Sequence, residues 1–227
     1  MYNPAPMKTN SSFDLVIFDC DGVLVNSEPL ANQVFVELLA EHGHRVNVQE
    51  YQREFSGAAI HERLAVTSQK LDWTPPANFY SVFNERLSDL TKRELTPVAG
   101  IHDLIRSITV PICVASNGSR EEILLRLKIA RLTEFFGGAI FSGLEVAHPK
   151  PAPDVFLEAA RSFNASPARC VVIEDSIPGV TAAVRAGMRV FGHAAFTPSE
   201  SLLAAGAIPF ESMLELQSIL TSAHRNN

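Results

Sequence analysis

Short apolar runs alternate with longer stretches of helical periodicity along this chain. The first run is Leu15-Val16-Ile17-Phe18, four consecutive β-forming residues, as in a strand covered on both faces. It stops abruptly at Asp19-Cys20-Asp21-Gly22. Similar runs recur at 110–115, 139–141, 170–173 and 188–192, with a weaker one at 207–210. Helical patterns separate most of them. One spans 121–129 behind Ser119 and Glu122, which match the S-x-x-E capping box. Another spans 154–163 after Pro151 and Pro153, with Asp154 expected at the N-cap. A third covers 178–186 and ends at Gly187, a natural C-terminal stop. Strands alternating with helices of this length predict a parallel α/β sheet with right-handed crossovers.

The stretch 26–95 breaks this rhythm. It carries helical periodicity at 31–42 and 79–95 and no convincing strand, and it returns through Thr96-Pro97-Val98-Ala99-Gly100, a stiff turn-like segment. The economical reading is a helical unit inserted after the first strand. The expected fold is therefore α/β: a Rossmann-like parallel sheet core (13–25 and 96–227) with helices on both faces and an inserted α-helical cap domain (26–95). Residues 1–12, polar and proline-bearing, read as a flexible tail without the marks of a signal peptide.

Composition narrows the class. Of 227 residues, 46% are apolar and 19% charged, the balance of an ordinary soluble globular protein. The formal net charge of −6 argues against wholesale attraction to nucleic acid or an anionic membrane, so neither is expected as a partner. No apolar stretch reaches transmembrane length. Cys20, Cys113 and Cys170 form no C-x-x-C pair and sit in or beside apolar runs, as reduced thiols of a cytoplasmic protein do.

Four candidate sites stand at the ends of expected strands, where ligands bind in open α/β sheets. Asp19-x-Asp21-Gly22 puts two carboxylates after a buried strand, which is costly unless something neutralises or uses them. A divalent cation does so, and a carboxylate beside it can attack phosphorus. A solvated strand-end turn and the D-x-D of glycosyltransferases remain open readings of that pair alone. Ser116-Asn117-Gly118-Ser119 offers a hydroxyl and backbone N–H groups at a helix entrance, either a phosphate cradle or a plain helix cap. His148-Pro149-Lys150-Pro151-Ala152-Pro153-Asp154 stiffens the chain around one lysine, which can neutralise a transferred phosphoryl group or be a surface residue of a proline-rich loop. Val172-Ile173-Glu174-Asp175-Ser176 again ends an apolar strand in acids, which suit Mg²⁺ or a helix start favoured by the dipole.

In order and setting, these motifs resemble the haloacid dehalogenase-like superfamily from Phe13 onward. The stretch Phe18-Asp19-Cys20-Asp21-Gly22-Val23-Leu24-Val25-Asn26-Ser27-Glu28 looks like the opening motif of its phosphatase branch. The resemblance implies a Mg²⁺-dependent hydrolase of a small phosphorylated metabolite. Asp19 is then nucleophile and metal ligand, and Asp21 is general acid/base and a ligand through its backbone oxygen. Ser116 and Lys150 hold the phosphoryl group with Asn117 nearby, Asp175 binds the metal with Glu174 beside it, and the cap loop around Gly57 faces the substrate.

Single positions sort the branches. Dehalogenases and phosphonate hydrolases of the family lack the second aspartate, present here as Asp21. The β-phosphoglucomutases carry a histidine where Ala31 aligns and a basic pair where Ser56 and Ile60 flank Gly57, which makes mutase-type transfer the alternative and hydrolysis the expectation. A phosphate-sensing relative would show degraded motifs, and a receiver domain lacks the inserted helices. The start and the Ser-Asn-Gly segment look like bacterial sugar-phosphate phosphatases, pointing to sugar or polyol phosphates. A monomer is expected, because a cap must move freely.

Other residues read as structural. His42 and His44 belong to a surface turn rather than a metal site, and Trp73 to cap packing. Glu85, Asp89 and Glu94 mark a solvated helix face. For His61 and Arg63 a solvated face is favoured over contact with polar substrate groups.

Overall fold

The computed structural model describes residues 13–48, 50–51, 55 and 60–223. Six strands form one sheet: β1 (Leu15–Phe18), β2 (Ile112–Ser116), β3 (Ile140–Ser142), β4 (Cys170–Glu174), β5 (Arg189–His193) and β6 (Ile208–Phe210). Their order is β3-β2-β1-β4-β5-β6, and every pairing is parallel. All six expected strands are present, with ends moved by one or two residues. The second begins at Ile112 because Pro111 has no N–H to donate.

The helices are α1 (Glu28–Glu41), α2 (Ile60–Lys70), α3 (Phe79–Glu94), α4 (Ile101–Ser107), α5 (Arg120–Ile129), α6 (Thr133–Phe136), α7 (Asp154–Ser162), α8 (Ile177–Arg185), α9 (Ser199–Ala205) and α10 (Met213–Ala223). Alternation along β1 sorts them into two layers. Val16 and Phe18 face a core filled by Leu104 of α4, Ile123 and Leu127 of α5, and Leu216 of α10. Leu15 and Ile17 face the other side, with Phe156 of α7, Val180 of α8 and Leu202 of α9. Side chains of successive strand residues point to opposite faces, so a strand buried on both sides reads as an unbroken apolar run.

Local chemistry sets several helix ends. Ser119 and Glu122 form the expected capping box at α5. Asp154, expected as an N-cap, is instead the first helical residue behind Pro153, and its carboxylate accepts from the His148 backbone N–H at 3.2 Å. The first helix starts at Glu28, earlier than its apolar periodicity, because Pro29 suits a first turn.

The chain leaves the sheet after β1 and returns before α4 along one short crossing. Val25 bridges Pro97 in antiparallel fashion, Asn26 N–H donates to the Thr96 carbonyl at 2.9 Å, and Val98 N–H donates to the Leu24 carbonyl at 3.1 Å. Between those points lie α1, α2 and α3. Phe35 sits fully buried at their centre, against Tyr51 at 5.1 Å, Phe79 at 5.5 Å and Phe83 at 6.3 Å between ring centroids. Trp73 packs on His42, His44 and Phe79, in keeping with its structural reading. Gly57 and Ser56 lie outside the described residues. Phe35→Ala removes the shared ring of this aromatic cluster and is expected to lower the unfolding free energy by about 3–5 kcal/mol in urea denaturation; an unchanged midpoint would contradict the packing.

Candidate functional site

The order of strands reverses about β1, with β2 on one side and β4 on the other. The carboxyl ends of these three strands are the place where an open α/β sheet binds ligands. Asp19 follows β1, Ser116 ends β2, and Glu174 ends β4 with Asp175 next. Asp19 is pinned to β4 by its own N–H, which donates to the Ile173 carbonyl at 2.9 Å.

Lys150 reaches this point from a different segment, the loop before α7. Its ammonium is buried and donates to Asp19 Oδ1 at 2.5 Å, to Glu174 Oε1 at 2.7 Å and to the Ala115 carbonyl at 2.9 Å. It also lies 4.8 Å from the Phe156 ring centroid. Three oxygen acceptors satisfy its three donors. Burial alone would lower the Lys150 pKa, but Asp19 and Glu174 more than offset that and hold it charged. For Asp19, loss of water pushes the carboxyl upward, Lys150 opposes the shift, and Glu174 and Asp21 add to it. The pocket holds more acid than its one lysine neutralises.

Asn117, expected among the substrate contacts, has a different partner. Its Oδ1 accepts from the Lys150 backbone N–H at 2.9 Å, and its Nδ2 donates to the Lys150 carbonyl at 3.1 Å. Both ends of the amide are spent fixing the backbone that carries the lysine. Ser116 is buried, and its hydroxyl accepts from Gly118 N–H at 3.3 Å. Gly118 is fixed in turn by the Ser142 hydroxyl, which donates to its carbonyl at 2.6 Å.

Glu174, expected beside the metal, also has both oxygens engaged. Oε1 takes Lys150, while Oε2 accepts from the backbone N–H groups of Asp175 and Ser176, each at 2.8 Å, and from the Ser176 hydroxyl at 2.9 Å. A Cβ on Gly179 would stand 1.7 Å from Glu174 Oε1, so only glycine lets α8 approach this carboxylate. Asp175 lies against the turn after β1: a Cβ on Gly22 would fall 1.8 Å from its Oδ2, and Gly22 has φ of +72°. The turn is closed by Gly22 N–H donating to the Val25 carbonyl at 2.9 Å. Burial, then Glu174 and Asp19, push the Asp175 carboxyl well above the usual carboxylate range.

Two partners of this turn were not singled out by sequence reasoning. Arg126 of α5 donates from a terminal guanidinium nitrogen to Asp21 Oδ2 at 3.0 Å, while Asp21 Oδ1 is buried without a hydrogen-bond partner. Its signal is a cation three residues beyond the buried Ile123 of a capped helix, on the side facing the sheet. His193, buried at the end of β5, donates from Nδ1 to the Gly22 carbonyl at 2.7 Å and stacks on Phe210. Burial lowers its pKa, the Gly22 bond opposing, and nothing in the local sequence marks it.

The four strand-end motifs thus converge as expected. Residues 13–187 match the profile described as haloacid dehalogenase-like hydrolase. The 6-phosphogluconate phosphatase of Escherichia coli (strain K12) is 29% identical over 182 residues, covering 80% of this chain and 82% of that protein. A haloacid dehalogenase-like protein of unknown function from Agrobacterium tumefaciens superposes with a TM-score of 0.86 at 34% identity, over 92% of this chain and 98% of its own. A HAD family hydrolase from Deinococcus radiodurans R1, solved with bound phosphate and sodium, gives 0.81 at 34% identity, over 94% and 97%. With a family match over most of its length and its motifs gathered at one end of the sheet, the chain belongs to the haloacid dehalogenase-like hydrolases.

Proposed function

We propose that this protein is a phosphatase of small phosphorylated metabolites, sugar or polyol phosphates in particular, which works through a phosphoaspartate on Asp19. The observation that carries this reading is the Lys150 ammonium buried between Asp19 and Glu174, at the end of the strand about which the sheet order reverses. The relative in Escherichia coli, a 6-phosphogluconate phosphatase by name, supports the substrate class.

The donors fit a hard divalent cation such as Mg²⁺: they are all oxygen, and the excess of buried acid over lysine asks for positive charge. Asp19, the Asp21 carbonyl and Asp175 would hold it. That set has two carboxylates and one backbone oxygen, consistent with the finding that no three acid, His or Cys side chains form a ready cage among the described residues. Glu174, with both oxygens committed, serves Lys150 and the turn instead of the cation. Once bound, such a cation withdraws charge from the phosphoryl oxygens and lowers the repulsion against an attacking carboxylate.

In the first half-reaction the Asp19 carboxylate attacks phosphorus in line and the bond to the substrate oxygen breaks. Asp21 gives that oxygen its proton. In the second, Asp21 takes a proton from water, whose oxygen attacks phosphorus, and phosphate leaves while Asp19 is restored. Lys150 and Ser116 offset the charge on the transferred oxygens in both halves. Residues 26–95 act as a cap that excludes bulk water and reads the substrate, moving about the Val25–Pro97 crossing.

Asp19→Asn is expected to abolish phosphate release from every ester tried, and Asp21→Asn to lower kcat by roughly 10²–10⁴-fold. Full activity in purified, folded Asp19→Asn protein would end the phosphoaspartate reading. Lys150→Ala leaves Asp19 and Glu174 buried without their cation; it should lose on the order of 10²-fold in activity and about 3–5 kcal/mol in stability. Near-normal values for both would place the lysine outside the machinery. EDTA is expected to stop phosphate release, and millimolar Mg²⁺ to restore it and raise the melting temperature. Activity indifferent to both reagents would refute the cation site.

A further inference from the structure

Sequence reading places Arg63 on a solvated face of its helix, and the structure corrects this. Arg63 is 4% exposed, and its guanidinium is laid along the first turn of α1. One terminal nitrogen donates to Asn32 Oδ1 at 2.5 Å, and the other pairs with the Glu28 carboxylate. Glu28 opens α1 three residues after Val25, whose carbonyl closes the catalytic turn at Gly22. The guanidinium is therefore one ion pair removed from the catalytic end of the sheet.

The polar groups around it are incomplete. Asn32, 1% exposed, has no hydrogen-bond partner for its Nδ2, and the buried hydroxyls of Tyr51 and Thr67 have none either. Thr67 lies one helical turn beyond Arg63 on α2. The Tyr51 phenol, raised chiefly by burial, feels Thr67 and Arg63 as well, although its oxygen is not in hydrogen-bond geometry with Thr67. Buried polar atoms without partners are uncommon in native proteins and mark a place for water or ligand. Here all three atoms can donate, and one belongs to the Asn32 amide that the guanidinium itself bonds. Such a set calls for an acceptor carrying negative charge. Glu28 supplies one from within the chain; with its side chain 21% exposed, it can turn out to water when another oxyanion arrives. The exchange replaces one charge-assisted pair with another and so costs little.

We propose that Arg63, with Asn32 beside it, is the specificity-determining receptor for a second anionic group of the substrate, a carboxylate or a second phosphate, at the end remote from the transferred phosphoryl. This rests on the phosphatase reading above and narrows it from phosphate esters at large to esters that are also acids. A guanidinium fork favours planar or bidentate oxyanions over hydroxyl groups, so neutral sugar phosphates are the poorer substrates. An ion pair serving only to pin α2 on α1 would affect all esters alike.

The test is a ratio. Phosphate release from 6-phosphogluconate and from fructose 1,6-bisphosphate is measured against glucose 6-phosphate, for wild type, Arg63→Met and Arg63→Lys. All are assayed with Mg²⁺, with far-UV circular dichroism and thermal melts to establish folding. Wild type is expected to favour one anionic ester over glucose 6-phosphate by roughly 10–100-fold in kcat/KM, the worth of a hydrogen-bonded charge. The preferred ester names the anion as carboxylate or phosphate. Arg63→Met should bring that ratio to within about threefold of unity, and Arg63→Lys should keep part of it, since the charge stays while the fork is lost. Should Arg63→Met fail to fold, Arg63→Lys carries the comparison. Equal losses on all three esters, or a wild type that prefers glucose 6-phosphate, would overturn the proposal while leaving the phosphatase reading intact. No phosphate release from any ester would overturn both.

Discussion

The ammonium of Lys150 is the constraint on which the carboxyl end of the sheet depends. Two carboxylates, Asp19 and Glu174, meet there with little access to water, and neither is tolerable as an anion without a cation between them. Placing that cation requires the loop before α7 to be held still. Asn117 does this through the Lys150 backbone, the Phe156 ring lies close to the ammonium, and the surrounding prolines stiffen the approach. Because the lysine engages acids from two neighbouring strands and the carbonyl of a third, it also fixes how β1, β2 and β4 end relative to one another. Electrostatics and positioning are here the same interaction.

A second layer of groups supports the turn from below. His193 and Arg126 come from β5 and α5, elements that carry no strand-end motif used in the chemistry. One holds the backbone of Gly22, the other the side chain of Asp21. Asp175 fills the space that a side chain at position 22 would occupy. The turn after β1 is therefore held on several sides, through the Gly22 backbone, through one oxygen of the Asp21 carboxylate and by the space that Asp175 fills, which keeps Asp19 and Asp21 in register.

Much of this was legible in the chain itself. The unbroken apolar runs gave the strands because a doubly covered parallel strand needs no polar alternation, and each run ended at the residues that converge. Asp19, Asp21, Ser116, Lys150 and Asp175 could be picked out because each follows a strand or a stiffened loop. What could not be read were partnerships across the fold. Asn117 reads as a ligand contact in the sequence, and its amide spans the Lys150 backbone; Glu174 reads as a metal ligand, and its oxygens bond that lysine and the α8 entrance. Arg63 looked solvated because a polar residue on a polar helix carries no local sign that another helix will cover it. His193 sits in a strand whose pattern predicts burial but not a bond to a turn 171 residues away in sequence.

The crossing of Val25 with Pro97 has a consequence for the history of such a molecule. Where the chain departs at Asn26 and where it comes back at Thr96, the two backbones are one hydrogen bond apart, at 2.9 Å. Everything spliced between those points begins and ends at the same place, so its length and content can change without stretching any strand of the sheet, and the entropy of closing a longer excursion grows only slowly. The junction works as a socket: the sheet and its strand ends stay on one side, and recombination or drift is free to trade the inserted helices on the other.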